Sequence, residues 1–255
     1  MQYKIKAFLT HFSISAVIVA SFLLLVFFVW YPKPLMDAEG GWDIIILLVV
    51  IDLILGPLMT FVVFKPDKKS LKFDLSVIVL IQIVALVYGG SIIYSGRPVY
   101  VVFNVNKFHV ITQSTVGDLT KLKNESLKTG IFDLPNYIFM NYKENMDKAV
   151  KIYEELLAGN GKSIVFRPEM YDFYEPHLPE WIDKGIKFED ILKFHPKIDL
   201  IVRQKCHRAG ISVANTAYFY LVGSVKDFVV LVDKKTGFVF DSLDINTWYG
   251  VTSKK

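Results

Sequence analysis

The sequence predicts a membrane protein in which three N-terminal transmembrane α-helices precede an α+β periplasmic domain with antiparallel hairpins. Two observations support this fold class. Of the 255 residues, 53% are hydrophobic and only 21% are charged, whereas soluble domains are about 45–50% apolar and about 25% charged. The first 97 residues contain 8 Lys/Arg and 6 Asp/Glu, and the rest contain 21 and 19, so charge is denser after residue 97.

The same composition excludes several classes of protein. The net charge of +4 is divided evenly between the two parts, without the basic block that nucleic-acid binding requires. Cys206 is the single cysteine, which excludes an internal disulfide and a cysteine-rich zinc site. A chain with 53% hydrophobic residues is able to bury a core, so disorder is excluded as well.

Three apolar runs predict the transmembrane helices at about residues 7–31, 44–64 and 75–95. Each is long enough to cross a hydrocarbon layer of about 30 Å. The first run is interpreted as an uncleaved signal anchor, because its 25 residues exceed the apolar region of about 7–15 residues in a cleavable signal peptide. Residues 1–97 are therefore predicted to form a three-span membrane domain in the lipid bilayer.

The distribution of lysine predicts the orientation of these spans. Lys4, Lys6 and the four lysines of residues 65–74 flank one end of the helices, whereas residues 32–43 contain only Lys33. Because short cytoplasmic loops carry the excess of positive charge, the N-terminus and the second loop are predicted to be cytoplasmic. Three crossings then place the rest of the chain on the other side, which in a bacterium is the periplasm.

Residues 98–255 have the composition of a soluble domain and are predicted to form an α+β periplasmic domain. Runs rich in β-branched and aromatic residues predict two antiparallel hairpins, 99–103 with 108–111 and 228–233 with 238–241. An antiparallel sheet is therefore expected. Helical spacing of Met146, Val150, Tyr153 and Leu157 predicts a helix in 141–157, closed by Gly159. Further helices are expected in residues 189–194 and 197–209.

Asp52 is the most informative single residue, since a carboxylate near the middle of a span costs about 2.5–3.5 kcal/mol on insertion scales. Two interpretations stay open. In one, Asp52 binds a proton or contacts a partner helix. In the other, it bonds to a neighbouring span at Gln82 or to backbone freed by Pro57.

The Gly56-Pro57 pair interrupts the hydrogen bonds of the second span, because proline has no N–H. The pair is either a packing kink or a notch for another helix. The candidate contacts with a partner helix are therefore four residues of the second and third spans: Asp52, Gly56, Pro57 and Gln82.

No catalytic, cofactor-binding or metal-binding set is predicted, so the protein is not expected to be an enzyme. Residues 159–163 end in Gly-Lys-Ser, but a phosphate-binding loop needs glycine where Leu156 stands. Residues 235–237 read Lys-Thr-Gly without the Ser-x-x-Lys nucleophile that accompanies this triplet in β-lactamases. Cys206-His207 is the one adjacent pair of metal-ligand types, short of the three or four ligands of a zinc site.

The remaining histidines and the tail aromatics are interpreted as ordinary core or surface residues. The five histidines are scattered along the chain: His11, His109, His177, His195 and His207. The aromatic residues are expected mainly in the core, with some available for a protein contact: Tyr171, Phe173, Tyr174, Trp181, Tyr218, Phe219, Tyr220, Trp248 and Tyr249.

Five segments of the membrane part form a recognisable order: Phe28-Val29-Trp30-Tyr31-Pro32, Gly40-Gly41, the run from Asp52 to Thr60, the run from Val63 to Asp74, and the run from Arg97 to Phe103. In these segments the chain resembles the type IV pilin accessory proteins of the TfpX/TfpZ group. The resemblance covers about residues 20–110 and the overall layout.

This resemblance implies an inner-membrane protein of a Gram-negative bacterium that supports the biogenesis of type IV pili. Its expected partners are the cognate type IV pilin subunit and other inner-membrane pilus assembly proteins. Two alternatives stay open. One is a membrane-anchored periplasmic sensor that binds a small ligand, although its cytoplasmic segments are short. The other is a membrane-anchored periplasmic hydrolase, disfavoured because no nucleophile and base emerge.

Overall fold

A computed structural model describes residues 1–159 and 162–245 of the chain. These residues form two compact units. The helical unit comprises Met1–Pro32 and Gly41–Arg97. The sheet unit comprises Lys33–Gly40 together with residues 98–159 and 162–245. The segment between the first two long helices thus groups with the tail, although it is close in sequence to the helical unit.

The helical unit contains three helices long and apolar enough to cross a membrane: Gln2–Trp30, Trp42–Val63 and Leu71–Gly96. The prediction of three long apolar N-terminal helices is thereby confirmed. The first two include π-helical stretches, Val26–Trp30 and Val50–Leu55. In chain order the helices of the protein are α1 Gln2–Leu25, α2 Leu35–Glu39, α3 Trp42–Val49, α4 Gly56–Val63, α5 Leu71–Gly96, α6 Met146–Leu157, α7 Leu178–Trp181, α8 Phe188–Phe194 and α9 Ile198–Ala209.

Helices α1 and α5 both pack against α4. The outward surfaces of the long helices expose large apolar side chains, among them Val17, Ile46, Leu47, Leu80, Val84 and Val87. A helix that is apolar on its outer face as well as its inner face is typical of a membrane span, because the solvent around it is itself apolar.

The sheet unit is built on seven strands in the order β4-β3-β1-β2-β5-β6-β7. Their bounds are β1 Pro98–Asn104, β2 Lys107–Thr112, β3 Asn136–Met140, β4 Tyr171–Phe173, β5 Thr216–Val222, β6 Phe228–Asp233 and β7 Val239–Leu243. The two predicted hairpins are confirmed, since β1 pairs antiparallel with β2 and β6 pairs antiparallel with β7.

The expectation of an antiparallel sheet is wrong, because the sheet is mixed. Strand β1 pairs parallel with β3, and β2 pairs parallel with β5. Parallel neighbours need long connections, and these pairs are joined by long stretches of turns and helices. Pairings between strands so far apart leave no local signal in the sequence.

The central strand β1 is buried on both faces of the sheet. Val101 and Phe103 pack with Trp181 in one core cluster. Tyr100 and Val102 pack in a second cluster, because alternate residues of a strand point to opposite faces. A third cluster joins buried side chains of α9, including Cys206, with Tyr218 of β5 and with Val229 and Leu231 of β6.

Helix α2 belongs to the first core cluster through Leu35 and Ala38, which are both buried. The Ala38 carbonyl accepts a hydrogen bond from the backbone N–H of Val225 at 2.9 Å. The carboxylate of Glu39 accepts two more from Ser224, at 3.1 Å from its N–H and 2.7 Å from its hydroxyl. These contacts hold residues 33–40 against the β5–β6 turn.

Most of the tail aromatics are in the core, as expected. Tyr171, Tyr174, Trp181, Tyr218 and Phe219 are buried and Phe173 is exposed. Trp248, Tyr249 and the Asn160-Gly161 pair lie outside the described residues. Gly159 adopts a positive φ of 75° directly after α6, which agrees with its predicted role in ending that helix.

Candidate functional site

A cluster of polar side chains lies inside the helical unit, at the junction of the π-helical stretch and α4. There the N–H of Gly56 donates to the carbonyl of Ile51, five residues earlier. In this register residue 57 would donate to the carbonyl of Asp52, but Pro57 has no N–H. The side-chain Nε2 of Gln82 takes its place and donates to the Asp52 carbonyl at 3.2 Å.

Gly56 makes room for this hydrogen bond. A Cβ atom at residue 56 would collide with the side-chain amide of Gln82. Glycine is therefore required here because the amide of α5 approaches the backbone of the middle helix so closely. The two residues have complementary effects. Pro57 leaves the Asp52 carbonyl without a backbone donor, and Gly56 leaves room for the Gln82 amide that donates to this carbonyl.

His11 of α1 extends the cluster to the third helix. Its Nε2 donates to Oε1 of Gln82 at 2.7 Å, since that oxygen can only accept. In the neutral imidazole Nδ1 then accepts from the hydroxyl of Thr60, at 2.6 Å. The three long helices are thus joined by one chain of hydrogen bonds that runs from Thr60 through His11 and Gln82 to the backbone of Asp52.

The carboxylate of Asp52 lies beside this chain. The residue is only 4% exposed, and its carboxylate oxygens accept no hydrogen bond of ordinary geometry from a described residue. The Gln82 amide, in a hydrogen-bonding contact of poorer geometry, and His11 lie close to it. A buried carboxylate with so few donors is costly, so this group is incompletely satisfied.

An apolar groove of about 480 Å³ opens over this cluster. Its two walls come from α1 and α5, and its floor comes from the second long helix and the residue after it: Asp52, Thr60 and Phe64. The wall residues are mostly apolar: Tyr3, Lys6, Ala7, Thr10, His11, Ile14, Ser15, Ile18, Val19, Leu75, Val79, Gln82, Ile83 and Leu86. Along α1 the groove extends from Tyr3 to Val19, about 24 Å at the rise of an α-helix.

The structure brings the four predicted contact residues together, although their role toward a partner stays a prediction. Asp52 and Gln82 line the groove, whereas Gly56 contacts the Gln82 amide and is, like Pro57, not a lining residue. Sequence reasoning missed His11, which it treated as isolated, and it missed Thr60. The spacing of residues 52, 56 and 60 was the available signal, because residues four apart share one helix face.

The sheet unit holds a second polar cluster, centred on His177. Its Nε2 lies 3.2 Å from Asp172 and its Nδ1 lies 2.9 Å from Glu180. Hydrogen bonding from Lys143, at 2.7 Å, keeps the pKa of Glu180 below its usual range. Because the carboxylates meet different ring nitrogens, the three side chains do not converge on one metal ion. Within residues 1–159 and 162–245 no group of three His, Cys, Asp or Glu side chains could hold a metal.

Cys206 and His207 do not form a paired site. Cys206 is buried with its Sγ 3.4 Å from the hydroxyl of Thr216, and His207 is exposed. A polar recess of about 340 Å³ lies near this region, between the segment at Gly185 and strand β5. Charged residues border it, including Lys187, Glu189 and Lys234.

The fold and the groove define a protein with three helices of membrane-spanning length and a separate mixed-sheet unit. The family model for the fimbrial assembly protein FimB matches residues 1–40. The serogroup I fimbrial assembly protein of Dichelobacter nodosus is 29% identical over 234 residues, 88% of each chain. That of serogroups C1 and C2 is 37% identical over 108 residues, 42% of this chain and 82% of the relative. No solved structure matches.

The chain belongs to the family of fimbrial assembly proteins. The family resemblance inferred from the membrane part of the sequence is thereby confirmed. The similarity to the serogroup I protein extends through most of the sheet unit as well, because it covers 88% of the chain.

Proposed function

We propose that this protein is an inner-membrane accessory protein that supports type IV pilus biogenesis by binding the cognate pilin. The observation that carries the proposal is the apolar groove between α1 and α5, whose length suits a hydrophobic helix. A pilin subunit that waits in the membrane presents such a helix. Relatives named as fimbrial assembly proteins support the same process.

The proposed topology has the N-terminus in the cytoplasm and the sheet unit in the periplasm. Residues 33–40 share one compact unit with the described residues from Pro98 onward, which supports a topology with both on the same side of the membrane. This arrangement requires the second and third helices to cross and return, which agrees with three spans. The lysines of residues 1–6 and 65–74 then lie together on the opposite, cytoplasmic side.

The proposed mechanism is binding without covalent chemistry. The groove holds the pilin helix in the membrane, and the sheet unit contacts the pilin head in the periplasm. Two contacts in one molecule raise the effective concentration of the second contact, so weak individual affinities give a stable complex. Such a complex promotes the assembly or the stability of the subunit, and other inner-membrane assembly proteins are further candidate partners.

Gene deletion in the host tests this function. We expect surface pili to fall, and total cellular pilin distinguishes the two possible roles. If total pilin is constant, the protein acts in assembly; if total pilin also falls, it protects the subunit. Unchanged surface pili, in a strain without a second copy of the gene, would contradict the proposal. Complementation with Asp52→Ala then tests the groove: a stably inserted variant that restores full piliation argues against its role.

The recess of the sheet unit favours a second candidate function, a membrane-anchored periplasmic protein that binds a small polar ligand. Lys187, Glu189 and Lys234 border this recess and offer charges of both signs. The deletion experiment separates the two functions, because a ligand sensor has no required effect on the number of pili.

A further inference from the structure

We infer that the helix bound in the groove presents a hydrogen-bond donor to the carboxylate of Asp52. This inference rests on the proposed function, since it describes the chemistry of the partner that the groove accepts. It commits to one occupant: a transmembrane helix with an amide, hydroxyl or amino group near the middle of the bilayer.

The donors of the polar cluster itself are already largely used. Both ring nitrogens of His11 are engaged, by Thr60 and by Gln82. Gln82 spends one of its two N–H groups on the backbone carbonyl of Asp52. The single N–H left on Gln82 cannot satisfy two carboxylate oxygens, which together accept about four hydrogen bonds. The carboxylate therefore keeps acceptor capacity for a further donor, which we expect from the bound helix.

Asp52 lies where a helix in the groove reaches it. The residue is 4% exposed and belongs to the lining of the groove, so a side chain that enters the groove approaches its carboxylate. It lies ten residues after Trp42 and eleven before Val63, the ends of its helix, and thus near the middle of the span. Water is scarce at that depth, which makes a protein donor the available solution.

A lipid tail is the alternative occupant of the groove. A lipid tail fits the apolar walls but carries no donor, so it leaves the Asp52 carboxylate as costly as before. The groove follows α1 from Tyr3 to Val19, a length of about 24 Å that matches most of a spanning helix. A helix with one donor at mid-depth therefore satisfies both the apolar walls and the polar floor.

Guest helices in proteoliposomes test the inference. Ala/Leu-rich transmembrane peptides with either Asn or Leu at the centre are labelled for energy transfer to the full-length protein in phosphatidylethanolamine and phosphatidylglycerol vesicles. We expect the Asn peptide to bind about 3-fold to 30-fold more tightly than the Leu peptide, the range of interhelical hydrogen bonds in bilayers. The preference should disappear in Asp52→Leu and decrease in the isosteric Asp52→Asn.

Leu80→Ala serves as the matched control, because Leu80 is 60% exposed on α5 and does not line the groove. This variant should keep the preference for Asn. Equal binding of the two peptides, or a preference for Asn that persists in Asp52→Leu, overturns the inference. The proposed function is tested separately, by the deletion phenotype. Energy transfer is also measured between two labelled copies of the protein. If it occurs and is abolished by Asp52→Leu, the occupant of the groove is a second copy, and this result also overturns the inference.

Discussion

The side chain of Gln82 repairs the helix that Pro57 interrupts: its Nε2 lies 3.2 Å from the carbonyl of Asp52, the group that a residue-57 N–H would otherwise reach. Because the same amide also accepts from His11, a single side chain of α5 joins all three long helices. The polar residues of the long helices thus stabilise the packing of these helices, in addition to their proposed role in binding a partner helix. The two roles predict different effects of substitution.

Gln82→Leu should destabilise the helical unit. The substitution leaves the Asp52 carbonyl and the His11 Nε2 without partners, and each buried orphan costs about 1–3 kcal/mol. We expect a lower free energy of unfolding in detergent micelles. Val84→Ala is the control on the same helix, since Val84 is 60% exposed. Equal losses for the two variants would show that the amide does not join the helices.

Gly56→Ala should also destabilise the unit, by about 1–3 kcal/mol, because the new methyl group displaces the Gln82 amide. Gly90→Ala is a matched control in α5. A Cβ at Gly90 would meet only the ring of Phe22, at 3.7 Å, which is ordinary contact. We expect Gly90→Ala to be neutral or stabilising, since alanine is the better helix former. Thermal unfolding of both variants measures the difference, and a neutral Gly56→Ala would contradict the close approach.

Helix α6 presents an apolar stripe to solvent, which yields a prediction for the sheet unit. Val150 is exposed, and the buried side of the helix consists of Ala149 and Ile152. Ile152→Ala should therefore cost about 2–5 kcal/mol of unfolding free energy. Val150→Ala should change it by less than about 0.5 kcal/mol. The opposite ranking in denaturant unfolding would mean that the helix is rotated about its axis.

Glu39 predicts a pH dependence of the contact between α2 and the β5–β6 turn. Burial raises the pKa of Glu39 above its ordinary value of 4.5, and its hydrogen bonds with Ser224 oppose that rise. The folded protein therefore holds this proton at a higher pH than the unfolded chain does. The contribution of Glu39 to stability is largest below the ordinary pKa and is lost as the pH rises through the raised one.

This pKa shift is measured against Glu39→Gln, which does not titrate. From about pH 7.5 to about pH 5, the free energy of unfolding of the wild type should rise relative to that of the variant. The difference between the two proteins removes the contributions of all other carboxylates. A difference that stays constant with pH, or that falls as the pH is lowered, would contradict a raised pKa for Glu39.

The sequence was sufficient for features that leave a local pattern. The three long helices follow from uninterrupted apolar runs, and the two hairpins follow from β-branched runs around short turns. Gly159 was assigned correctly as a helix end. These features depend on residues near one another in the chain, which is why composition and spacing reveal them.

Long-range pairing was beyond the same reasoning. The parallel pairing of β2 with β5 joins residues such as Lys107 and Tyr220, and nothing near either residue signals it. The packing of residues 33–40 on the tail was missed for the same reason. His11 was treated as isolated because its partners, Thr60 and Gln82, lie on other helices. The groove results from the packing of three helices, so the sequence predicted only a polar residue at its floor and not the groove itself.

Site-specific crosslinking in the living host tests the central claim most directly. A photoreactive amino acid is placed at Val79, which lines the groove, or at Leu80, its neighbour on the outward face of α5. If the groove binds the pilin helix, illumination yields an adduct with pilin from position 79 and little or none from position 80. Equal adducts from both positions, or no pilin adduct from position 79 while pilin is present, would contradict the claim.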